Sequence, residues 1–399
     1  MRILRRSFGV GIVARILARI SVALVVCASA GRADGQEKMT PLLLDMQDAP
    51  APFMGSDGRV HLVYELWMTN FSSADILVEK VEVLGDGEVL QSLDIAGVAG
   101  RLQAAGQRES AGKLPGSVQA LLFLHVTLEL GAASPRLLSH RVTMHVNAAP
   151  PGQQEITESG GEVAVDRKPV VSIGPPLRGK GYISADSCCD ASRHTRAAMP
   201  VNGHVWLAQR FAVDWEQLDE QGRVYAGDRE KLASYTIFGK PVIAVADAVV
   251  ASVTDGLPEQ IPGKYPVNIS LDQADGNSVI LDLGDRRYAM YAHMQPGTIQ
   301  VRVGQRVAAG QLLGLVGNSG NSVAPHLHFQ VTDRASSLAA NGLPYEMRDF
   351  QITGKTPGTK AFDEAEEKGT PLAITPMSSA KQTKGALPLD QMIISFAGR

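Results

Sequence analysis

Short runs of alternating hydrophobic and polar residues, separated by polar turns, recur along most of the chain. Successive side chains of a strand point to opposite faces, so runs of this length with a period of two predict β-strands with one buried face. In the first half of the chain these runs occupy residues 60–66, 76–84, 121–130 and 138–146. Their regular spacing favours a small antiparallel sandwich.

The same pattern returns in the second half and predicts an all-β protein. There the strand-like runs occupy residues 209–215, 241–253, 278–283, 288–293, 326–331 and 389–396. The chain shows no long amphipathic helix. We therefore expect an immunoglobulin-like sandwich at 40–148, a Pro- and Gly-rich linker at 149–168, an antiparallel β domain at 169–350, and a charged segment with a terminal strand at 351–399.

Residues 1–30 differ from the rest of the chain. They combine a basic start, an apolar run and the small residues Ala28, Ser29 and Ala30, which together predict a cleaved export signal. We therefore expect a periplasmic, extracellular or cell-wall protein without an integral membrane span. These residues carry five arginines and no acid, so their removal would change the net charge from −3 to −8. Such an acidic protein is not suited to nucleic acid.

Export would leave Cys188 and Cys189 as the only cysteines. Adjacent cysteines cannot form a relaxed disulfide, so the sequence does not predict a disulfide scaffold. Nothing in the sequence defines an oligomeric state.

Three histidines near the end of the second β region are the best candidates for chemistry. His326 and His328 alternate along a predicted strand and should project from one face, and His293 follows Tyr291 and Ala292 upstream. Imidazole is a good zinc ligand, and catalytic zinc sites use three protein ligands and keep one position open. The other histidines of the first half have no metal-ligand spacing, and we expect them to be structural: His61, His125, His140 and His145.

The run from 291 to 329, with its Gly-rich turns between the histidines, resembles the lysostaphin-like (LytM-type) zinc metallopeptidases. The resemblance covers roughly 172–335. It implies a β-sheet endopeptidase that uses Zn²⁺ to cut peptide bonds, with peptidoglycan cross-links or another peptide as substrate.

The resemblance also implies site residues. Asp214 and His328 become zinc ligands, and His293 and His326 take the catalytic places beside the water. This division is chemically reasonable, because one neutral imidazole can accept the proton of the water and a second can donate to the developing oxyanion. No His-Glu-x-x-His motif offers a glutamate base.

One position departs from the family pattern. The family's first ligand is a histidine four residues before the aspartate. In this sequence that position holds Arg210, whose guanidinium has no lone pair to donate to a metal. We favour His194 as the third ligand, with His204, a thiolate of the cysteine pair, or no third protein ligand as alternatives. Arg210 also keeps open a different function, in which a catalytically degenerate module binds or regulates cell-wall components.

Overall fold

A computed structural model describes residues 39–396, and residues 40–396 lie within one compact unit. The predicted export signal at 1–30 lies outside the described residues. Within the described part of the chain, none of the helices has the length and apolar character needed to cross a bilayer.

The first half of the described chain forms two five-stranded antiparallel sheets. One sheet has the order β1-β3-β8-β6 with β2 beside β3, and the other has the order β10-β9-β4-β5 with β7 beside β4. The elements are β1 Leu42–Asp45, β2 Phe53–Met54, β3 Val60–Asn70, β4 Ile76–Gly85, β5 Glu88–Leu93, helix α1 Ile95–Ala99, β6 Leu102–Ala104, β7 Lys113–Leu114, β8 Gln119–Leu128, β9 Leu137–Val146 and β10 Glu155–Ala164.

Both sheets contribute to one hydrophobic core. Leu62 and Tyr64 of β3 are buried together with Val81 and Val83 of β4. Buried positions alternate in β4 and β9 as predicted, whereas β3 and β8 are buried on both faces, and the sheets pack as a sandwich. All four strands predicted in this half are confirmed.

The structure differs from the sequence expectation in the proposed linker. Residues 155–164 form β10, which pairs with β9 and extends the second sheet. Gly160 and Gly161 lie in this strand, and the register shifts between Gly160 and Val163. A bulge favours glycine, and a partly exposed edge strand contains polar residues, so β10 has the same composition as a linker. Composition alone therefore could not distinguish the two.

The second half is built on a ten-stranded sheet with the order β20-β17-β18-β19-β22-β15-β12-β26-β24-β25. The elements are β11 Val171–Ile173, β12 Gly179–Ala185, helix α2 Ser192–Thr195, β13 Met199–Val201, β14 His204–Trp206, β15 Val213–Gln217, β16 Pro241–Ile243, β17 Ala248–Thr254, β18 Asn277–Asp282, β19 Tyr288–Met294, β20 Arg306–Val307, β21 Leu312–Leu315, β22 Leu327–Thr332, β23 Tyr345–Met347, β24 Phe350–Lys355, helix α3 Thr359–Lys368, β25 Thr375–Thr383 and β26 Met392–Phe396, with 3-10 helices at Leu232–Ser234 and Leu271–Gln273.

The described chain is thus mostly β-strand in antiparallel sheets, as predicted, with few helices. The run 241–253 is two strands, β16 and β17, rather than one. The terminal strand is confirmed as β26, which pairs with β12 and β24. The charged segment before it contains α3, whose buried Phe362 and Ala365 lie three residues apart on one helix face.

The sandwich packs directly against the second half. Phe53 and Val63 belong to the same core cluster as Phe211 and Trp215. On the same side, Trp67, Leu121 and Phe123 surround Leu207. The strand that carries the metal-ligand candidate Asp214 is therefore supported by residues of the N-terminal sheets.

The sequence left the state of the cysteine pair open. Cys188 and Cys189 are bonded to each other as a disulfide, and the peptide bond between them is cis. Both residues are buried.

Candidate metal centre and active site

Three adjacent strands, β15, β22 and β19, bring the predicted residues together at the middle of the large sheet. Asp214 lies opposite His328, and His328 lies opposite Ala292 on its other side, next to His293. The Nδ1 atom of His328 is 2.9 Å from Oδ1 of Asp214. Antiparallel pairing thus places residues separated by more than a hundred positions within hydrogen-bond distance.

His194 reaches the same place from helix α2. Its Nε2 atom lies 3.4 Å from Oδ2 of Asp214. Its Nδ1 atom is 2.9 Å from the backbone oxygen of Asp186. Since a carbonyl only accepts, Nδ1 carries the proton and Nε2 presents its lone pair to the site. Donor atoms of His194, Asp214 and His328 all lie within 4.8 Å of one another.

Gln330 orients His328. Its Oε1 atom is 2.9 Å from Nε2 of His328, while its own amide nitrogen donates to the backbone oxygen of Ser337. This arrangement keeps the His328 proton on Nε2 and directs Nδ1 towards Asp214. Partners of this kind hold metal-binding histidines in the correct tautomer.

His293 and His326 form a second pair of imidazoles beside these residues. Their ring centroids are 4.7 Å apart, and Nε2 of His326 lies 3.5 Å from Oδ1 of Asp214. His293 Nδ1 donates to the Ser319 oxygen at 2.8 Å, and His326 Nδ1 donates to the Ala324 oxygen at 2.8 Å. In both rings the outer nitrogen is held by a carbonyl, which leaves Nε2 free to exchange protons in the site.

The electrostatics favour neutral imidazoles at His194 and His293 and a charged carboxylate at Asp214. Burial lowers the pKa of His194 to about 4 and, with the neighbouring imidazoles, holds the pKa of His293 well below its ordinary value. Burial would raise the pKa of Asp214, but the surrounding histidines hold it well below its usual range. Burial would likewise lower the pKa of His328, but its hydrogen bond to Asp214 raises it. At neutral pH the site therefore offers the imidazole lone pairs of His194 and His293 beside the carboxylate of Asp214.

Two more carboxyl groups lie behind the site. Burial, together with the nearby charge of Asp214, raises the pKa of Asp186 to about 7. Burial, Glu366 and Asp214 raise the pKa of Glu216 well above its ordinary value. Asp214 is thus the acidic group that stays ionised at the centre of the site.

Arg210 does not lie in the metal centre. It precedes β15 instead of sharing the strand with Asp214, and its guanidinium points to the N-terminal sandwich. Nε and Nη2 of Arg210 donate to the two carboxylate oxygens of Glu65 at 2.9 and 2.6 Å. Burial opposes the charge of Arg210, but Glu65 and Asp48 offset this and raise its pKa above the ordinary value. Arg210 is therefore paired with Glu65 and not with Asp214.

The other candidates for the third ligand lie elsewhere. His204 is exposed on β14, with its ring centroid 4.2 Å from that of Trp206. Cys188 and Cys189 are joined in the disulfide and offer no thiolate in this state. Among the sequence candidates, His194 is the one that joins Asp214 and His328.

The chemistry of these donors fits zinc. Two imidazole nitrogens and one carboxylate oxygen are a usual ligand set of catalytic zinc sites. Ligands on a tetrahedral ion with bonds of 2.0–2.1 Å lie about 3.3 Å from each other, close to the 2.9 and 3.4 Å that separate the histidine nitrogens from the Asp214 oxygens. Magnesium and calcium, which prefer oxygen ligands, fit less well.

Sequence reasoning missed the residues that hold the histidines in place. Gln330 continues the alternation of His326 and His328, so the signal was present in the strand period. The carbonyls of Ser319 and Asp186 left no signal, because any residue supplies a backbone oxygen. Glu65 as the partner of Arg210 could not be found either, since 145 residues separate the two.

Residues 232–340 match the family model of Peptidase family M23. This stretch includes His293, His326 and His328, whereas His194 and Asp214 lie before it. A stretch of 65 residues is 37% identical to the peptidoglycan DD-endopeptidase ShyA of Vibrio cholerae, and covers 16% of this chain and 15% of that protein. A stretch of 72 residues is 44% identical to the glycyl-glycine endopeptidase ALE-1 of Staphylococcus capitis, and covers 18% of this chain and 20% of that protein. The chain thus spans a fifth or less of these curated relatives.

Two similar solved structures are catalytic domains. The catalytic domain of lysostaphin from Staphylococcus simulans is 21% identical, with 41% of this chain and 88% of that chain covered and a TM-score of 0.22. The catalytic domain of the prophage-encoded M23 protein EnpA from Enterococcus faecalis is 21% identical, with the same coverage and a TM-score of 0.24. The resemblance found in the sequence is thus confirmed by the family match for residues 232–340.

Proposed function

Since residues 232–340 are of the M23 peptidase type, we propose that this protein is an exported zinc metalloendopeptidase that hydrolyses peptide bonds in peptidoglycan. The observation that carries the proposal is the convergence of His194, Asp214 and His328, with donor atoms within 4.8 Å of one another. The named activities of the two curated relatives, both endopeptidases and one of them acting on peptidoglycan, support the substrate class.

The proposal depends on His194 as the third zinc ligand. Arg210 stands where the family pattern expects a ligand, which kept open the alternative of a degenerate binding module. What supports the enzyme instead is that His194 presents a free Nε2 to Asp214 from a different element. Arg210 serves the contact with Glu65, so its presence is no argument for a decayed site.

The residues around the metal position have distinct parts in the mechanism. Zinc, when bound, would supply Lewis acidity, by which water becomes a nucleophile at neutral pH. His326 and His293 hold their Nδ1 protons on backbone carbonyls, so that either Nε2 can accept the proton of the attacking water. The resulting imidazolium can then donate from Nε2 to the leaving amine or to the developing oxyanion. Asp214 stabilises the positive charge that arises beside it.

The test is a count of zinc combined with a cleavage assay on the full chain. Wild-type protein without reductant should hold about one zinc per chain and release soluble fragments from purified peptidoglycan. His194→Ala and His328→Ala should lose both zinc and cleavage. His293→Ala and His326→Ala should keep the zinc and lose cleavage.

His204→Ala is the matched control, because His204 is an exposed histidine outside the site, and it should keep both properties. A folded wild-type protein that binds no zinc would contradict the proposal. If His194→Ala retained a full equivalent of zinc, His194 would not be the third ligand.

A further inference from the structure

A second cluster of metal-ligand side chains lies on the outer face of the first sheet, where the sandwich meets the second half of the chain. His125 of β8 pairs with Val63 of β3, and His61 lies two residues before Val63 on the same face. Cys189 approaches this face from the segment after β12. Donor atoms of His61, His125 and Cys189 all lie within 4.8 Å of one another.

The two histidines are arranged as metal ligands usually are. The inner nitrogens, Nδ1 of His61 and Nε2 of His125, face each other at 2.7 Å. Each outer nitrogen is held by a carboxylate: His61 Nε2 lies 3.0 Å from Asp57, and His125 Nδ1 lies 2.9 Å from Asp190. An aspartate behind each imidazole keeps a proton on the outer nitrogen, so the inner nitrogens are the ones that can bind a metal.

His140 shows what a purely structural histidine looks like in the same sandwich. One of its ring nitrogens meets the Tyr64 hydroxyl at 3.0 Å, and the other meets the Gly161 backbone oxygen at 3.1 Å. No second histidine or cysteine joins it among the metal-ligand groups of the described chain. The pair His61 and His125 is therefore not explained by core packing alone.

We propose that His61, His125 and Cys189 form a second zinc site, separate from the active site, that becomes competent when the Cys188–Cys189 disulfide is reduced. The inner hydrogen bond holds one proton between two imidazoles, and a zinc ion would replace that proton. A mostly buried His₂Cys set at the contact between two packed halves fits a structural site better than a catalytic one.

The reduction has a simple balance. A thiolate of an external dithiol attacks one sulfur of the disulfide, and its second thiol then closes the reagent's own disulfide. Two electrons and two protons pass to the protein, which leaves Cys188 and Cys189 as thiols. Cys189 loses its proton when its sulfur binds the metal.

For the two histidines the spacing requires only a small movement. Tetrahedral nitrogen ligands lie about 3.3 Å apart, so the two rings must separate by about 0.6 Å from their present 2.7 Å. The Oγ1 atom of Thr127 lies 3.3 Å from Nε2 of His125 and is available near the fourth position. The site also lies close in sequence to the active site, since Cys189 precedes the proposed ligand His194 by five residues.

The adjacent cysteines offer a matched pair of variants. The experiment uses the full chain with Cys27→Ser, so that Cys188 and Cys189 are its only cysteines. Zinc per chain is measured after dialysis against zinc alone, for oxidised protein and for protein reduced with a phosphine that is removed beforehand. We expect one additional zinc per chain in the reduced form.

Cys188→Ser leaves Cys189 as a permanent thiol and should bind the additional zinc without reduction. Cys189→Ser leaves only Cys188 and should not bind it in either state. His125→Ala should also lose it, whereas His145→Ala, which changes a histidine outside both clusters, should not. With Co²⁺ in place of zinc, thiolate-to-metal charge-transfer absorption should appear only in the forms with a free Cys189.

Thermal unfolding followed by circular dichroism checks that each variant is folded. The proposal is overturned if the reduced protein, with two titratable thiols, binds no additional zinc. It is also overturned if Cys188→Ser and Cys189→Ser bind the same amount. Because the result is a difference between oxidised and reduced protein, it is independent of whether the active site binds zinc.

Discussion

The buried ion pair between Arg210 and Glu65 gives the sharpest test of how the two halves of the chain depend on each other. The side chains are 6% and 3% exposed, and two hydrogen bonds of 2.9 and 2.6 Å join them. Replacing Glu65 by leucine would leave a buried guanidinium whose remaining carboxylate partner is the half-exposed Asp48 at 3.3 Å.

Breaking a buried pair by removing one partner costs about 3–5 kcal/mol, because an uncompensated charge stays behind. Asp48 offsets part of this penalty, so we expect Glu65→Leu to lower the free energy of unfolding by about 3 kcal/mol. Replacing both partners by apolar residues removes the stranded charge. The double variant Glu65→Leu/Arg210→Met should therefore lose clearly less than the sum of the single variants, with a coupling of about 2 kcal/mol.

The assay is equilibrium urea unfolding, followed by tryptophan fluorescence, of wild type, both single variants and the double variant. Glu230→Leu is the control, because it breaks an exposed pair with Lys264 whose side chains are 56% and 55% exposed. Such a pair contributes about 0–1 kcal/mol. The reasoning is refuted if Glu65→Leu costs no more than Glu230→Leu, or if the two single effects simply add. Loss of zinc in folded Arg210→Met would refute the placement of Arg210 outside the metal centre.

Three further predictions concern the supporting residues. Burial lowers the pKa of His140 to about 4. Below pH ~6.5 His140 therefore binds a proton in the unfolded chain but stays neutral in the folded protein. The free energy of unfolding should fall by roughly 3 kcal/mol between pH 6.5 and 4 because of His140. In His140→Gln, urea unfolding measured at a series of pH values should show a pH dependence that is smaller by this amount. Gln330→Ala frees the outer nitrogen of His328 and should weaken zinc binding about 10–100-fold in chelator competition. Gly276→Ala should lower kcat at least about tenfold, since a Cβ there would clash with the Ser319 carbonyl that accepts a hydrogen bond from His293.

Each of these predictions has its own contradicting outcome. An unchanged pH slope in His140→Gln would show that the buried imidazole is not the titrating group. Gln330→Glu keeps an acceptor oxygen and should largely restore zinc affinity, so an equal loss in both Gln330 variants would argue against the orienting role. Gly284→Ala also has a positive φ but no atom near its Cβ, and its kcat should stay close to wild type. Equal loss in both glycine variants would refute the argument from the Ser319 contact.

Much of this protein was readable from local patterns. The alternation of buried and exposed residues repeats every second position, so it predicted the principal strands of both halves and placed His326 and His328 together. The terminal strand was found in the same way. The pattern failed where composition was ambiguous, as in β10, whose glycines and polar residues serve a bulged edge strand as well as a linker.

The sequence by itself determined the histidine cluster, the strand that carries Asp214, and the resemblance that connects them. Only the tertiary structure decided which side chains complete the site. Arg210 pairs with Glu65 because the sandwich places that buried carboxylate beside it. His194 lies beside Asp214 because the short helix α2 carries it there. His61 and His125 are likewise joined by strand register alone. Such partners are separated by tens of residues or more, and no local period of hydrophobic and polar positions records which strand lies beside which.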